Sequence, residues 1–325
     1  MPKPIRWGIL STARISRQFA GDFVHAAGGE LLAVASRRMD RAQAFAGEFA
    51  IPRAYGSYDE MLADPDIDAV YVSTPHTLHF ANSMDAIAAG KAVLCEKPLT
   101  VVPDDAEKLF AAAEEAGVYL MEAMWTWFLP AVRTALDWYR AGRIGRLLHV
   151  KADFGYPMPF DPASRVYARE LAGGCLLDMG IYPIALAWLF TRSDPLSIGV
   201  KHHLAPNGAD DDVLMHFDLG ECQAALSTSF RARLPNSAWL IGDEGTIGIP
   251  DFWRASECTL YGRDEVLDHF SDDREGGGFE FETEAVNRDL QAGRKRPEVV
   301  TWNDSRAFQR HMAAVFEKMG QQPVL

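Results

Sequence analysis

The chain has 325 residues, 48% hydrophobic and 24% charged, which excludes a disordered polypeptide and suffices for two domains with sizeable cores. A formal net charge of −13 argues against a nucleic-acid face, because phosphate contacts need clustered Lys and Arg. No apolar run approaches the roughly 20 residues of a membrane span.

Cys95, Cys175, Cys222 and Cys258 lie far apart with no C-x-x-C pair and read as reduced core residues. The N-terminus leads into a strand without a signal-peptide core, so a cytoplasmic enzyme is expected. The first third alternates strands and helices at the intervals of βαβ units. Strands are expected over 5–10, 30–36, 69–73, 92–97 and 118–121. Helices are expected after Ser16 through about Ala27 and over 41–49, 79–89 and 104–116. Pro98 must stop the fourth of these strands, because proline cannot donate to a sheet ladder.

Beyond Glu122 the text changes. An aromatic-rich helix is expected over 125–140, and then Leu148, Val150, Ala152 and Phe154 alternate with His149, Lys151 and Asp153, as in a strand with one buried face. Similar strands follow over 198–203, 212–219, 223–231, 237–241 and 246–249, interrupted by an apolar helix near 175–190. Helices over 279–291 and 305–318 close the chain. The expected fold is an α/β domain of Rossmann type, a parallel doubly wound sheet over 1–123, followed over 124–325 by an α+β domain with a large, mostly antiparallel open-faced sheet. The C-terminal helix is a candidate to pack back on the first domain.

Ligands of open α/β sheets bind outside the carboxyl ends of the strands. Lys97 stands at such an end, beside Glu96. The turn after the first strand, Ser11-Thr12-Ala13-Arg14-Ile15, is where a dinucleotide would set its pyrophosphate on a helix N-terminus. Ser11, Ala13 and Ser16 replace the glycines of G-x-G-x-x-G, and small side chains meet most of the same need. After the second strand, Ser36, Arg37, Arg38 and Arg41 stand where a carboxylate would bind the ribose of NAD. Guanidinium groups there match a 2′-phosphate, so NADP is the expected cofactor. Thr74, Pro75, His76 and His79 at the end of another strand are further candidate cofactor contacts. The two histidines have ligand-like spacing, yet no third ligand nearby completes a metal site.

Asp178 and Tyr182, four residues apart, share one face of the apolar helix next to Gly173-Gly174. With Lys97 they make an alcohol dehydrogenase site, in which Tyr182 takes the hydroxyl proton. A phenol titrates at roughly 10, and a nearby ammonium favours its anion. Trp125 and Phe154 could line an aromatic pocket. The competing assignments are a surface lysine, a capping aspartate and aromatic rings that only pack.

The stretches Arg6-Trp7-Gly8-Ile9-Leu10-Ser11, Ala54-Tyr55-Gly56-Ser57-Tyr58, Val93-Leu94-Cys95-Glu96-Lys97-Pro98, Leu120-Met121-Glu122-Ala123-Met124-Trp125-Thr126 and Leu176-Leu177-Asp178-Met179-Gly180-Ile181-Tyr182 resemble the glucose-fructose oxidoreductase / inositol dehydrogenase (Gfo/Idh/MocA) family. Within it they are most similar to the dimeric dihydrodiol dehydrogenase and NADP-dependent D-xylose dehydrogenase group. The resemblance implies NADP, a sugar or diol substrate, Lys97 and Tyr182 as the catalytic pair, and Trp125 and Phe154 at the substrate. It also implies a homodimer or higher homo-oligomer formed through the C-terminal sheet. The alternative from another class is a non-catalytic NADP-sensing regulator, whose expected mark is loss of the lysine or the acid/base residue. Both are present.

Overall fold

The computed structural model describes residues 2–323, and the chain forms two compact units. The first runs to Trp125 and takes in Glu275–Ser305. The second holds Thr126–Arg274 and the chain from Arg306 onward.

In the first unit, β1 (Ile5–Leu10), α1 (Arg14–Asp22), β2 (Gly29–Ala35), α2 (Met39–Glu48), β3 (Arg53–Tyr55), α3 (Tyr58–Leu62), β4 (Ala69–Val72), α4 (His76–Ala88), β5 (Ala92–Glu96), α5 (Pro103–Ala116) and β6 (Leu120–Ala123) follow in turn. The strands form one parallel sheet in the order β3-β2-β1-β4-β5-β6. This is the doubly wound order, with its switch point between β1 and β4. All residues of β4, β5 and β6 are buried, which is why they read as unbroken apolar runs ending in a few polar groups. α5 begins with Pro103 in its first turn and ends at Gly117, whose φ of 63° only glycine adopts readily.

The second unit contains α6 (Pro130–Arg140), β7 (Leu147–Gly155), α7 (Ile181–Thr191), β8 (Ser197–Leu204), β9 (Asp210–Asp218), β10 (Gln223–Ser229), β11 (Ala238–Gly242), β12 (Thr246–Ile249), β13 (Glu257–Tyr261) and β14 (Val266–Ser271). Its eight strands run in the order β14-β13-β12-β11-β7-β10-β9-β8. All neighbours are antiparallel except β7 and β10. The stretch Arg169–Thr191 is long and apolar enough to cross a membrane, contrary to expectation, but 89% of its most apolar window is buried in the protein, as in a core helix. On the sheet's other face Leu214 and Trp239 are exposed.

The expected division placed 124–325 in the second domain, with the C-terminal helix a candidate to pack back on the first. In the structure α8 (Phe279–Gln291) and the start of α9 (Trp302–Met319) belong to the first unit. Buried donors explain the return, since each needs an acceptor. Trp7 Nε1 donates to Asn287 Oδ1 (2.8 Å), Tyr119 OH to Asp289 Oδ2 (2.9 Å) and Trp302 Nε1 to the Leu120 carbonyl (2.9 Å). The four cysteines are buried free thiols.

Candidate active site

The β1–α1 turn carries the features a dinucleotide phosphate needs. Ser11 adopts φ 116°, a conformation ordinarily left to glycine, and its Oγ accepts from the Ala13 N–H at 3.2 Å. No side chain caps the N-terminus of α1, so its N–H groups remain available to an anion. Ser16 stands at the third glycine position, fully buried, with its hydroxyl 2.8 Å from that of Ser73 at the end of β4. Close packing of helix on strand is thus kept by a hydroxyl pair.

Ser36 closes β2, its N–H bound to the Tyr55 carbonyl (3.1 Å). Arg38 is held by Asp40 through two contacts, Nε to Oδ1 at 3.0 Å and Nη2 to Oδ2 at 2.5 Å, and this pairing lowers the Asp40 carboxyl below its ordinary value. Arg37 and Arg41 are exposed and have no ion-pair partner among the described residues. The positive charge at this strand end therefore rests on those two. At the end of β4 the Thr74 hydroxyl is buried without a hydrogen-bond partner. An orphaned hydroxyl, an uncapped helix start and two unspent guanidinium groups fit a dinucleotide.

Lys97 is buried just past β5, and its backbone N–H donates to Glu96 Oε2 at 3.1 Å. Glu96 Oε1 accepts from Tyr71 OH at 2.5 Å. Tyr71 is fixed by an aromatic stack: its ring lies 3.8 Å from Phe19, Phe19 meets Phe279 edge-on, and Phe279 stacks on Trp125 at 4.6 Å. Trp125, 4% exposed, therefore spends one ring face on the core of the first unit. His79 points inward as well, with Nδ1 2.8 Å from the Pro98 carbonyl and Nε2 2.9 Å from the Thr74 carbonyl. Both ring nitrogens thus face backbone oxygens. His76 is buried beside it, ring to ring at 5.6 Å.

Two further carboxyls behind Lys97 were not anticipated. Glu122 accepts from the Leu99 N–H at 2.9 Å. Burial pushes its pKa up to about 7; the Ser305 hydroxyl, the Leu99 N–H and Lys97 oppose the shift, and Glu96 adds to it. Glu282 on α8 is fully buried with neither oxygen hydrogen-bonded, and burial together with Glu96 raises it well above the carboxyl range. A buried carboxyl without a partner keeps its proton.

In the second unit Tyr182 sits in the first turn of α7, 6% exposed, after a π-turn over Leu176–Gly180. Gly173 and Gly174 permit the approach: a Cβ on Gly173 would lie 2.8 Å from the Ala168 backbone, and one on Gly174 would lie 2.2 Å from Asp210 Oδ1. Asp210 in turn accepts from the Leu176 N–H at 2.7 Å and so fixes the start of the turn. The Tyr182 ring meets Phe154 edge-on at 5.3 Å, and Trp253 stacks on Phe154 at 4.8 Å. Asp178 Oδ1 accepts from Arg165 Nη2 at 3.1 Å, so the carboxylate expected to face the substrate has a cationic partner from the loop before it. Trp253 and Arg165 escaped the sequence reading because each lies in an irregular segment with no periodic signal.

Residues 5–124 match the Gfo/Idh/MocA model described as an oxidoreductase family with an NAD-binding Rossmann fold, and residues 132–248 match the Gfo/Idh/MocA C-terminal domain. The chain is 34% identical over 328 residues to trans-1,2-dihydrobenzene-1,2-diol dehydrogenase of Xenopus laevis, covering 97% of this chain and 98% of that one. The protein of that name from Homo sapiens is 32% identical over 314 residues, covering 93% and 92%. Among solved structures, a 3-ketoreductase from Actinomadura kijaniata, in complex with TDP-benzene and NADP, is 28% identical with a TM-score of 0.84 over 99% of both chains. An aldose-aldose oxidoreductase from Caulobacter crescentus, complexed with glycerol, shares the fold at 22% identity, with a TM-score of 0.88 over 99% of this chain and all of that one. The chain belongs to the Gfo/Idh/MocA family of NAD(P)-dependent oxidoreductases.

Proposed function

We propose that this chain is an NADP-dependent dehydrogenase acting on a hydroxyl-bearing carbon of a D-xylose-like aldose or a vicinal diol, or reducing the corresponding carbonyl. The observation that carries it is Tyr182, a buried phenol at the head of an apolar helix among Phe154 and Trp253. Its ionised phenolate oxygen accepts the substrate proton in oxidation, and the phenol returns it in reduction. A phenol ordinarily titrates at roughly 10, so the reaction needs a cation, and Lys97 supplies it while orienting the substrate oxygen. The nicotinamide supplies the hydride acceptor in one direction and the donor in the other. Arg37 and Arg41 would hold the 2′-phosphate, the N-terminus of α1 the pyrophosphate, and Thr74 a polar edge of the cofactor.

The aromatic cluster of Tyr182, Phe154 and Trp253 suits the apolar C–H face of a sugar or cyclic diol. The relatives named for trans-1,2-dihydrobenzene-1,2-diol point to the diol. The exposed Leu214 and Trp239 on the open sheet face support a homodimer through that face. The test is a panel of pentoses, hexoses and cyclic trans-diols with NADP or NAD, followed by nicotinamide absorbance. Turnover with NADP is expected. Tight NADP binding with no turnover on the panel would instead favour a sensor.

A further inference from the structure

His79 lies on α4 with no exposed surface, and its two ring nitrogens face two backbone carbonyls, Pro98 O at 2.8 Å and Thr74 O at 2.9 Å. A carbonyl can only accept. A neutral imidazole has one N–H and one lone pair, so either tautomer sets a ring lone pair against a carbonyl lone pair where no water intervenes. Only the imidazolium, with a donor at each nitrogen, satisfies both oxygens. We propose that His79 is a buried, persistently protonated cation that clamps the connection after β4 to the connection after β5, and so positions Lys97.

Burial disfavours a charged ring, and two charge-assisted hydrogen bonds oppose that cost. The ionisable groups around the clamp are few. His76 is on the same helix, with its ring centroid 5.6 Å away. Cys95 and Glu96 come from β5, Lys97 from just beyond it, and Glu122 from β6 binds the Leu99 N–H next to Pro98. α5 turns Ala106, Leu109, Phe110 and Ala113 inward, all uncharged. The carbonyl of Pro98 directly follows Lys97 in the chain, so fixing it restricts where the Lys97 side chain can begin.

The protonation state stands on the His79 geometry alone, whereas its value for turnover rests on the reading of Lys97 given above. Two measurements keep these apart. The first is a long-range 1H–15N correlation spectrum of the full-length protein, labelled at its nine histidines, from pH 6 to 8.5. One imidazole is expected to keep both nitrogens protonated at pH 8.5, two units above the ordinary titration near 6.5. Its signals should vanish in His79→Gln or, if that variant does not fold, correlate with the backbone amide of residue 79. The absence of any doubly protonated imidazole at pH 8.5, or its survival in folded His79→Gln, overturns the proposal. The second is steady-state kinetics of the folded variant. A positioning role predicts kcat lower by about tenfold or more, with KM for NADP within about twofold. Equal losses in both would reduce His79 to general packing. If the wild type turns over nothing, the Lys97 assignment fails and the spectrum still decides the charge on His79.

Discussion

Replacing Glu122 by Gln tests whether the carboxyl behind Lys97 is held neutral by burial. In the native chain this group titrates at about 7, against an ordinary value of 4.5, with desolvation the largest cause. A raised native pKa means that the folded state keeps a proton the unfolded chain releases. The stabilisation is therefore complete below about pH 4.5 and is lost as pH rises to 7. The slope is about 1.4 kcal/mol per pH unit, and over the window the loss amounts to about 3 kcal/mol. Gln retains a carbonyl for the Leu99 N–H and cannot ionise. Urea unfolding of both proteins at several pH values from 4.5 to 8.5 should show the variant gaining on the wild type by about 3 kcal/mol between the acid end and pH 8. A constant offset between the two curves would mean that Glu122 is ionised in the fold and that the protonated-carboxyl argument is wrong.

Tyr182→Phe should lower kcat by about 10²- to 10⁴-fold while leaving NADP affinity, measured by fluorescence titration, nearly unchanged; a wild-type rate would remove the phenol from the mechanism. Replacing Arg37 and Arg41 together by Ala should weaken NADP by about tenfold or more and NAD hardly at all. Arg38→Ala should do less in the same titration, because Asp40 already engages that guanidinium. Ser11→Gly should raise the melting temperature, since it relieves a φ of 116° worth about 1 kcal/mol, and a lower midpoint would show that the Ser11 Oγ bond to Ala13 N–H outweighs the strain.

Long strands were legible wherever burial was uniform. The run Ala-Val-Leu-Cys-Glu reads as a fully buried strand because it is one, and period two along β7 betrays its single covered face. The elements β3, α3, β13 and β14 were not foreseen. The first two are three and five residues long, too short for a periodic signal, and β14 carries Val266 and Leu267 exposed, so no buried stripe marks it. The return of α8 to the first unit rests on pairs such as Trp7 with Asn287, 280 positions apart, and no local pattern encodes a partner at that separation. At the candidate site, Asp178 and Tyr182 were visible through their spacing of four. Arg165 and Trp253 become neighbours only through loops, and the inward turn of His79 depends on carbonyls that the residue letters do not specify.

The chain changes unit three times, after Trp125, after Arg274 and after Ser305. A ribosome that has released the first 125 residues has therefore made all six strands of the nucleotide-binding sheet but none of the lid on its aromatic flank. The indole of Trp7 and the phenol of Tyr119 then lack the amide and carboxylate that later satisfy them, and Phe19 lacks the ring that later covers its edge. The first unit must wait for residues 275–305 to be made before it can close, and no single cut liberates either unit intact.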